Sequence, residues 1–173
     1  MSISLPADDE LAAETLKELR AAPPLNVFRM MARAPASLAP LIQLARSVLV
    51  GSELPARLRE IAVLRVTHVA RSQYAYTQHV ALAKIVGVTP AEIEAIAVAE
   101  AVTALDDDGN LACRAADEIT RNVRVSDETL AGVVARFGTR QATELILACS
   151  YFNMIARFLE STRVPLDAIG GRS

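Results

Sequence analysis

An all-α domain is predicted by three features of the 173-residue chain: thirty-one alanines, few stretches of alternating β-branched residues, and apolar positions recurring at helical spacing between prolines and glycines. Alanine fixes no side-chain entropy in a helix, and its small volume lets neighbouring helices approach closely. A chain of this length buries roughly two-thirds of its unfolded surface, so one core of seven or eight helices needs neither disulfides nor a metal to hold it.

The elements follow in order. Leu11, Leu16 and Leu19 mark a short amphipathic helix over Leu11 to Arg20, stopped by Pro23 and Pro24. A second covers Asn26 to Arg33. Pro35 and Pro40 bracket the start of a third, which runs to about Val50, where Gly51 can take a left-handed C-terminal conformation. Pro55 to Ala70 carries Leu58, Ile61, Ala62, Leu64 and Val69 on one side, interrupted by Arg59, Glu60, Arg65 and His68. Ser72 to Val86 is closed by Gly87, and Thr89, Pro90, Ala91 and Glu92 read as a capping box with Pro at the first helical position. The acidic turn Asp106 to Gly109 precedes a helix over Leu111 to Asn122. Ser126 caps one that stops at Gly138, and Thr139 to Thr162 is the last and longest. Residues 1–173 form one domain, with only the tail 165–173 loosely ordered.

Charge narrows the possible partners. Eighteen Lys and Arg are spread among twenty Asp and Glu, for a net charge of −2, leaving no basic footprint for nucleic acid. Cys113 and Cys149 lack the spacing of a zinc cluster or a disulfide framework and suit a reducing compartment. Asp8, Asp9, Glu10, Glu14 and Glu18 oppose a signal-peptide pattern. The uncharged stretch Leu145 to Ala156 is well short of the roughly 20 residues that span a bilayer. A cytoplasmic protein without membrane partners is expected, and a positive mean hydropathy of +0.28 favours a homo-oligomer that buries apolar faces between subunits.

The candidate site lies on the two central helices. At 100° per residue, Ser72, Ala75, Tyr76 and His79 fall on one broad face of their helix. Glu60 is on the preceding helix, and a short break at Arg71 would fold the two together, so that the carboxylate could reach the imidazole. Such a contact fixes which tautomer the far nitrogen presents and stabilises the imidazolium, the arrangement of a general acid or base. A core histidine bonded to backbone or water is the competing role for His79, and a buried ion pair with Arg59 or Arg65 that for Glu60. Tyr74 and Tyr76 line a pocket or simply fill the core. Ser72 is either a substrate contact or a helix N-cap. His68 reads as a bystander, Arg65 and Arg157 as structural ion-pair residues, and Asn153 with Arg157 as a contact pair.

The segment from Leu58 to Ile96, LREIAVLRVTHVARSQYAYTQHVALAKIVGVTPAEIEAI, resembles the core of the carboxymuconolactone decarboxylase and alkyl hydroperoxidase D superfamily. The peroxidase branch has Glu, eleven residues, Cys-x-x-Cys, three residues, then His. The same frame here reads Glu60, eleven residues, Ser72, Gln73, Tyr74, Ala75, three residues, His79. Both cysteines are absent. Looser similarity extends from Pro24 to Asp167, with the family core at about 41–125, and the QYAYTQH element is closest to the decarboxylase-like branch.

The resemblance implies an alkyl hydroperoxidase D-like helical bundle and trimers, hexamers or other closed oligomers. It also implies a lyase that needs no cofactor and no metal and acts on a small carboxylated ring or lactone. In that reading His79 is the acid, Glu60 orients it, and Tyr76, Ser72 and Tyr74 contact the substrate. A non-enzymatic, ligand-binding oligomer is the alternative. Thiol-based hydroperoxide reduction is disfavoured, because a Ser hydroxyl has no accessible redox ladder and Ala75 offers no resolving thiol.

Overall fold

In a computed structural model that describes residues 2–167, every regular element is helical. A single 3-10 turn, Asp8–Glu10, precedes eight α-helices: α1 Ala13–Ala21, α2 Asn26–Met31, α3 Pro35–Leu49, α4 Ala56–Val69, α5 Gln73–Ile85, α6 Pro90–Ile96, α7 Asp107–Asn122 and α8 Asp127–Thr162.

Helix α4 is the axis of the bundle, packed against α5, α6, α7 and α8. Every residue from Leu58 to Thr67 is buried, so α4 lacks the usual solvent face. Its buried polar groups are therefore bonded to protein. Thr67 donates back to the carbonyls of Val63 and Leu64. Arg65, with no exposed surface, donates to both oxygens of Asp117 and to the carbonyls of Ile96, Val98 and Glu100. The core lies in two clusters, one between α4 and the α3, α7 and α8 side chains, the other around Ile61, Leu64, Ile93 and Ile96.

The local signals act where the sequence puts them. Thr89 and Glu92 form the reciprocal capping box of α6, and Ser126 accepts from the Thr129 amide at the start of α8. Gly138 interrupts the helical dihedrals of α8 at φ 75°, ψ 164°, a conformation that favours glycine, so the run Asp127–Thr162 consists of two helices that meet at Gly138, as the sequence leads one to expect. Helix α7 begins a turn earlier than expected, because the Asp106 carboxylate accepts from the Gly109 amide at 2.7 Å and starts the helix at Asp107. Pro40 lies inside α3; only Pro35 starts it.

The expected loose tail 165–173 begins with residues that make contacts. Asn26 donates through its side chain to the carbonyls of Pro165 and Leu166 and through its backbone amide to Asp167. Residues 168–173 lie outside the described region. Among the described residues no helix is long and apolar enough to cross a membrane.

Candidate functional site

Helix α4 ends at Val69 with Ala70 as its C-cap, and Arg71 takes a left-handed φ of 56°. The Arg71 amide then donates to the His68 carbonyl and the Ser72 amide to the Thr67 carbonyl, both at 2.9 Å. This double closure satisfies carbonyls that the helix end would orphan, and it reverses the chain within three residues. The left-handed conformation costs a non-glycine residue about 1–2 kcal/mol, so the tight reversal is maintained by the packing of the two helices it joins.

That reversal brings Glu60 and His79 together. His79 Nδ1 donates to Glu60 Oε2 at 2.7 Å, and Arg59 Nε donates to the other carboxylate oxygen at 3.3 Å. All three side chains are buried. A carboxylate out of water needs such partners on both oxygens. Phe152 and the imidazole pack edge to face, with ring centroids 4.4 Å apart and planes at 81°. Nδ1 is committed to Glu60, and Nε2 has no hydrogen-bond partner among the described residues. The free nitrogen can accept a proton or, once protonated, deliver one.

His79 lines a half-open cleft of about 390 Å³, within the size range of small-molecule sites. Helices α2, α3, α5 and α8 supply its walls, which are mostly apolar, including Phe28, Met31, Leu49 and Phe152. No Lys or Arg is among its described lining. The polar side chains on the wall are Tyr74, Gln78 and Tyr151 besides His79. Tyr151 stacks edge-on against Phe152 at 5.0 Å, and burial pushes its phenol up to about 12. It therefore remains a donor across the neutral range. Tyr74 donates to Asp167 and accepts from the Val27 amide at 3.1 Å; burial first, and then Asp167, raise its pKa.

The face predicted for α5 is split in two. Ala75 and His79 look into the cleft, but Tyr76 packs with Val80 and Val86 against the Ile61, Leu64 and Ile96 cluster and lies 6.1 Å from the His68 ring. His79 and Tyr76 are about 60° apart on the wheel, and the boundary between cleft and core falls between them. Tyr76 is thus not a cleft residue. Ser72 is not one either: it occupies the N-cap position of α5, its hydroxyl makes no capping bond, and that oxygen is buried without a partner. Tyr74 does line the cleft. The residues that sequence reasoning missed are Tyr151, Phe152, Gln78 and the α2 wall. Gln78 alone carried a local signal, since it is four residues after Tyr74 and adjacent to His79.

The other polar candidates have structural partners. Arg65 is fully engaged with Asp117 and three carbonyls, and Arg157 donates to the Asn153 side chain, which in turn donates to Thr120 at 2.9 Å. Cys113 and Cys149 are wholly buried, lie outside the cleft lining, and have thiols pushed up to about 12 by burial. Among the described residues no group of three or more His, Cys, Asp or Glu side chains is placed to hold a metal ion.

Comparison with known proteins agrees with this architecture. Residues 35–118 match the carboxymuconolactone decarboxylase family, against the 41–125 expected from the sequence. No curated protein matches. Among solved structures, an uncharacterized peroxidase-related protein from Silicibacter sp. TM1040 superposes with a TM-score of 0.83 at 20% identity, covering 97% of this chain and 92% of its own. An uncharacterized peroxidase-related protein with an alkylhydroperoxidase AhpD core, from Ralstonia eutropha JMP134, gives 0.82 at 14% identity, covering 97% and 93%. A protein of unknown function from Agrobacterium tumefaciens gives 0.73 at 15% identity, covering 80% and 96%. The family match runs from α3 into α7, and these structures share the helical fold over nearly the whole length, so the chain is similar to the carboxymuconolactone decarboxylase family over residues 35–118 and has an alkylhydroperoxidase AhpD-like fold.

Proposed function

We propose that this protein is a cofactor-independent acid–base enzyme, a carboxy-lyase acting on a small carboxylated ring or lactone with a largely apolar body. The observation that carries the reading is the Glu60–His79 pair in the wall of a small-molecule-sized cleft, with Nδ1 held by the carboxylate and Nε2 free. In the reaction, the bond from ring carbon to carboxylate breaks and CO2 leaves. The electron pair passes into the neighbouring carbonyl as an enolate, and the Nε2 proton of the imidazolium is delivered to the carbon; water then returns a proton to the ring. Developing charge on the enolate oxygen needs a donor in a water-poor site. Tyr151 is the phenol suited to that role, in place of Tyr76 and Ser72.

The test is a screen of carboxylated lactones and cyclic keto acids that reads CO2 release and thermal shift together. On a substrate so found, His79→Ala should lower kcat by about 10²- to 10⁴-fold, the usual weight of positioned acid–base catalysis. Full turnover in a folded His79→Ala protein would remove His79 from the mechanism. The apolar lining favours a second reading, a ligand-binding protein without catalysis, for which the screen would give thermal shifts and no CO2. Assembly into a homo-oligomer is part of the proposal: Leu147 and Met154, two turns apart on α8, are both exposed, and sedimentation as a monomer would count against it.

A further inference from the structure

The carboxylate of Asp167 gathers donors from two helices. Its Oδ1 accepts from the Asn26 amide at 2.7 Å, and its Oδ2 accepts from Gln78 Nε2 at 2.9 Å and from the Tyr74 hydroxyl. Tyr74 and Gln78 are successive-turn neighbours on α5, and both line the cleft that holds His79. The Tyr74 hydroxyl is fixed from its other side by the Val27 amide. Donors from α2 and α5 therefore converge on one carboxylate beside an otherwise apolar cleft.

We propose that Asn26, Tyr74 and Gln78 form a carboxylate-binding subsite of the cleft, that Asp167 occupies it in the resting protein, and that the carboxylate of an apolar organic acid takes its place. The inference rests on the reading of the cleft as a substrate site and gives that substrate an orientation: carboxylate toward Tyr74 and Gln78, apolar body along the Phe28 and Met31 wall. The cleft lining contains no Lys or Arg, and besides Tyr74 and Gln78 its polar side chains are Tyr151 and His79, the two assigned to the reacting end of the substrate. Asp167 is tethered through the backbone, so its effective concentration at the subsite is high and it competes strongly with any free acid. Exchange also releases the 165–167 strap, leaving its hold on α2 to the two Asn26 side-chain bonds.

Octanoate and octanol, equal in chain length and different in headgroup, are the probes, and calorimetric binding is the readout. Asp167→Ala should tighten octanoate binding at least tenfold and leave octanol within about twofold. Adding Tyr74→Phe and Gln78→Leu to that variant should remove the gain. Equal octanoate affinity with and without Asp167 would overturn the subsite, as would an equal gain for octanol, which would mean that the cleft had merely opened. Should Asp167→Ala fail to fold, the unaltered protein decides. Saturable shifts of the Asn26 amide and Gln78 side-chain amide resonances on titration with octanoate support the proposal, and their absence refutes it. Binding is read without turnover, so an error about His79 as the acid leaves this test intact; His79→Ala should slow CO2 release by the factor given above and keep octanoate binding.

Discussion

Replacing Arg65 by Met tests how the central helix tolerates a charge with no exposed surface. The guanidinium makes two bonds to Asp117, at 2.8 and 3.0 Å, and three to the carbonyls of Ile96, Val98 and Glu100, at 2.9, 2.6 and 2.6 Å. Met fills much of the same volume and leaves every one of those acceptors without its donor. Breaking a buried ion pair from one side costs about 3–5 kcal/mol. Two features set the value inside that range. Asp117 keeps 16% exposure and a second cation, Arg121, at 3.6 Å, which lowers the cost of its orphaned charge. The three carbonyls lie on the segment joining α6 to α7 or at its start, and each loses roughly 1 kcal/mol of net hydrogen bonding unless water reaches it. About 4 kcal/mol is expected, which in a domain of this size lowers Tm by roughly 10–15 °C. Calorimetry gives the shift, and hydrogen exchange should show early opening of residues 97–103. Adding Asp117→Leu should recover part of the loss, because an apolar pair replaces a broken ionic one. A fall in Tm of less than about 3 °C, or no recovery in the double variant, would refute the claim that this buried cluster anchors the α6–α7 segment to α4.

Three further outcomes follow from the site. Tyr151→Phe should lower kcat on a confirmed substrate by about 10²-fold, the scale of one lost oxyanion donor, whereas Tyr76→Phe should leave it within about twofold; the reverse order would restore the wheel-based assignment. Cys113 and Cys149 should react with a thiol reagent only after denaturation, and the native protein should show no dithiol-dependent consumption of cumene hydroperoxide, because both thiols are buried and pushed up to about 12; turnover lost on Cys113→Ser/Cys149→Ser would return the peroxidase reading. Ser72→Ala should raise stability by roughly 1 kcal/mol, since the hydroxyl is buried without a partner and makes no capping bond; a loss of stability in chemical denaturation would mean that the hydroxyl has a partner.

The helix boundaries were legible wherever the deciding interaction is local. Thr89 and Glu92 are three residues apart, Ser126 and Thr129 likewise, and such contacts are written directly into the sequence. The errors came where two local signals competed. Pro40 and Pro35 both looked like starts, and Asp106 overrode Gly109 because a carboxylate cap outweighs one weak helix former inside the first turn. The Glu60–His79 contact was legible for a related reason: only one reversal, at Arg71, separates the helices that carry it.

The cleft itself was not legible, and the reason is geometric. Its walls come from α2, α3, α5 and α8, so residues more than a hundred positions apart, such as Phe28 and Phe152, line it together. Apolar periodicity says that a side chain leaves water; it does not say whether it enters the packed interior or lines a void. Tyr76 and His79 illustrate the ambiguity within a single helix, since a turn that faces α4 on one edge and the cleft on the other sends neighbours on the wheel to different environments. The family frame carries its own limit for the same reason. Ala75 lies on the cleft wall while Ser72 is buried outside its lining, so the positions of the two missing cysteines are no longer equivalent toward a ligand. What survives at the wall is a histidine oriented by a carboxylate, which can move protons, and no accessible thiol, which redox turnover by the family's peroxidase route would require. Proton transfer is accordingly the chemistry to test first.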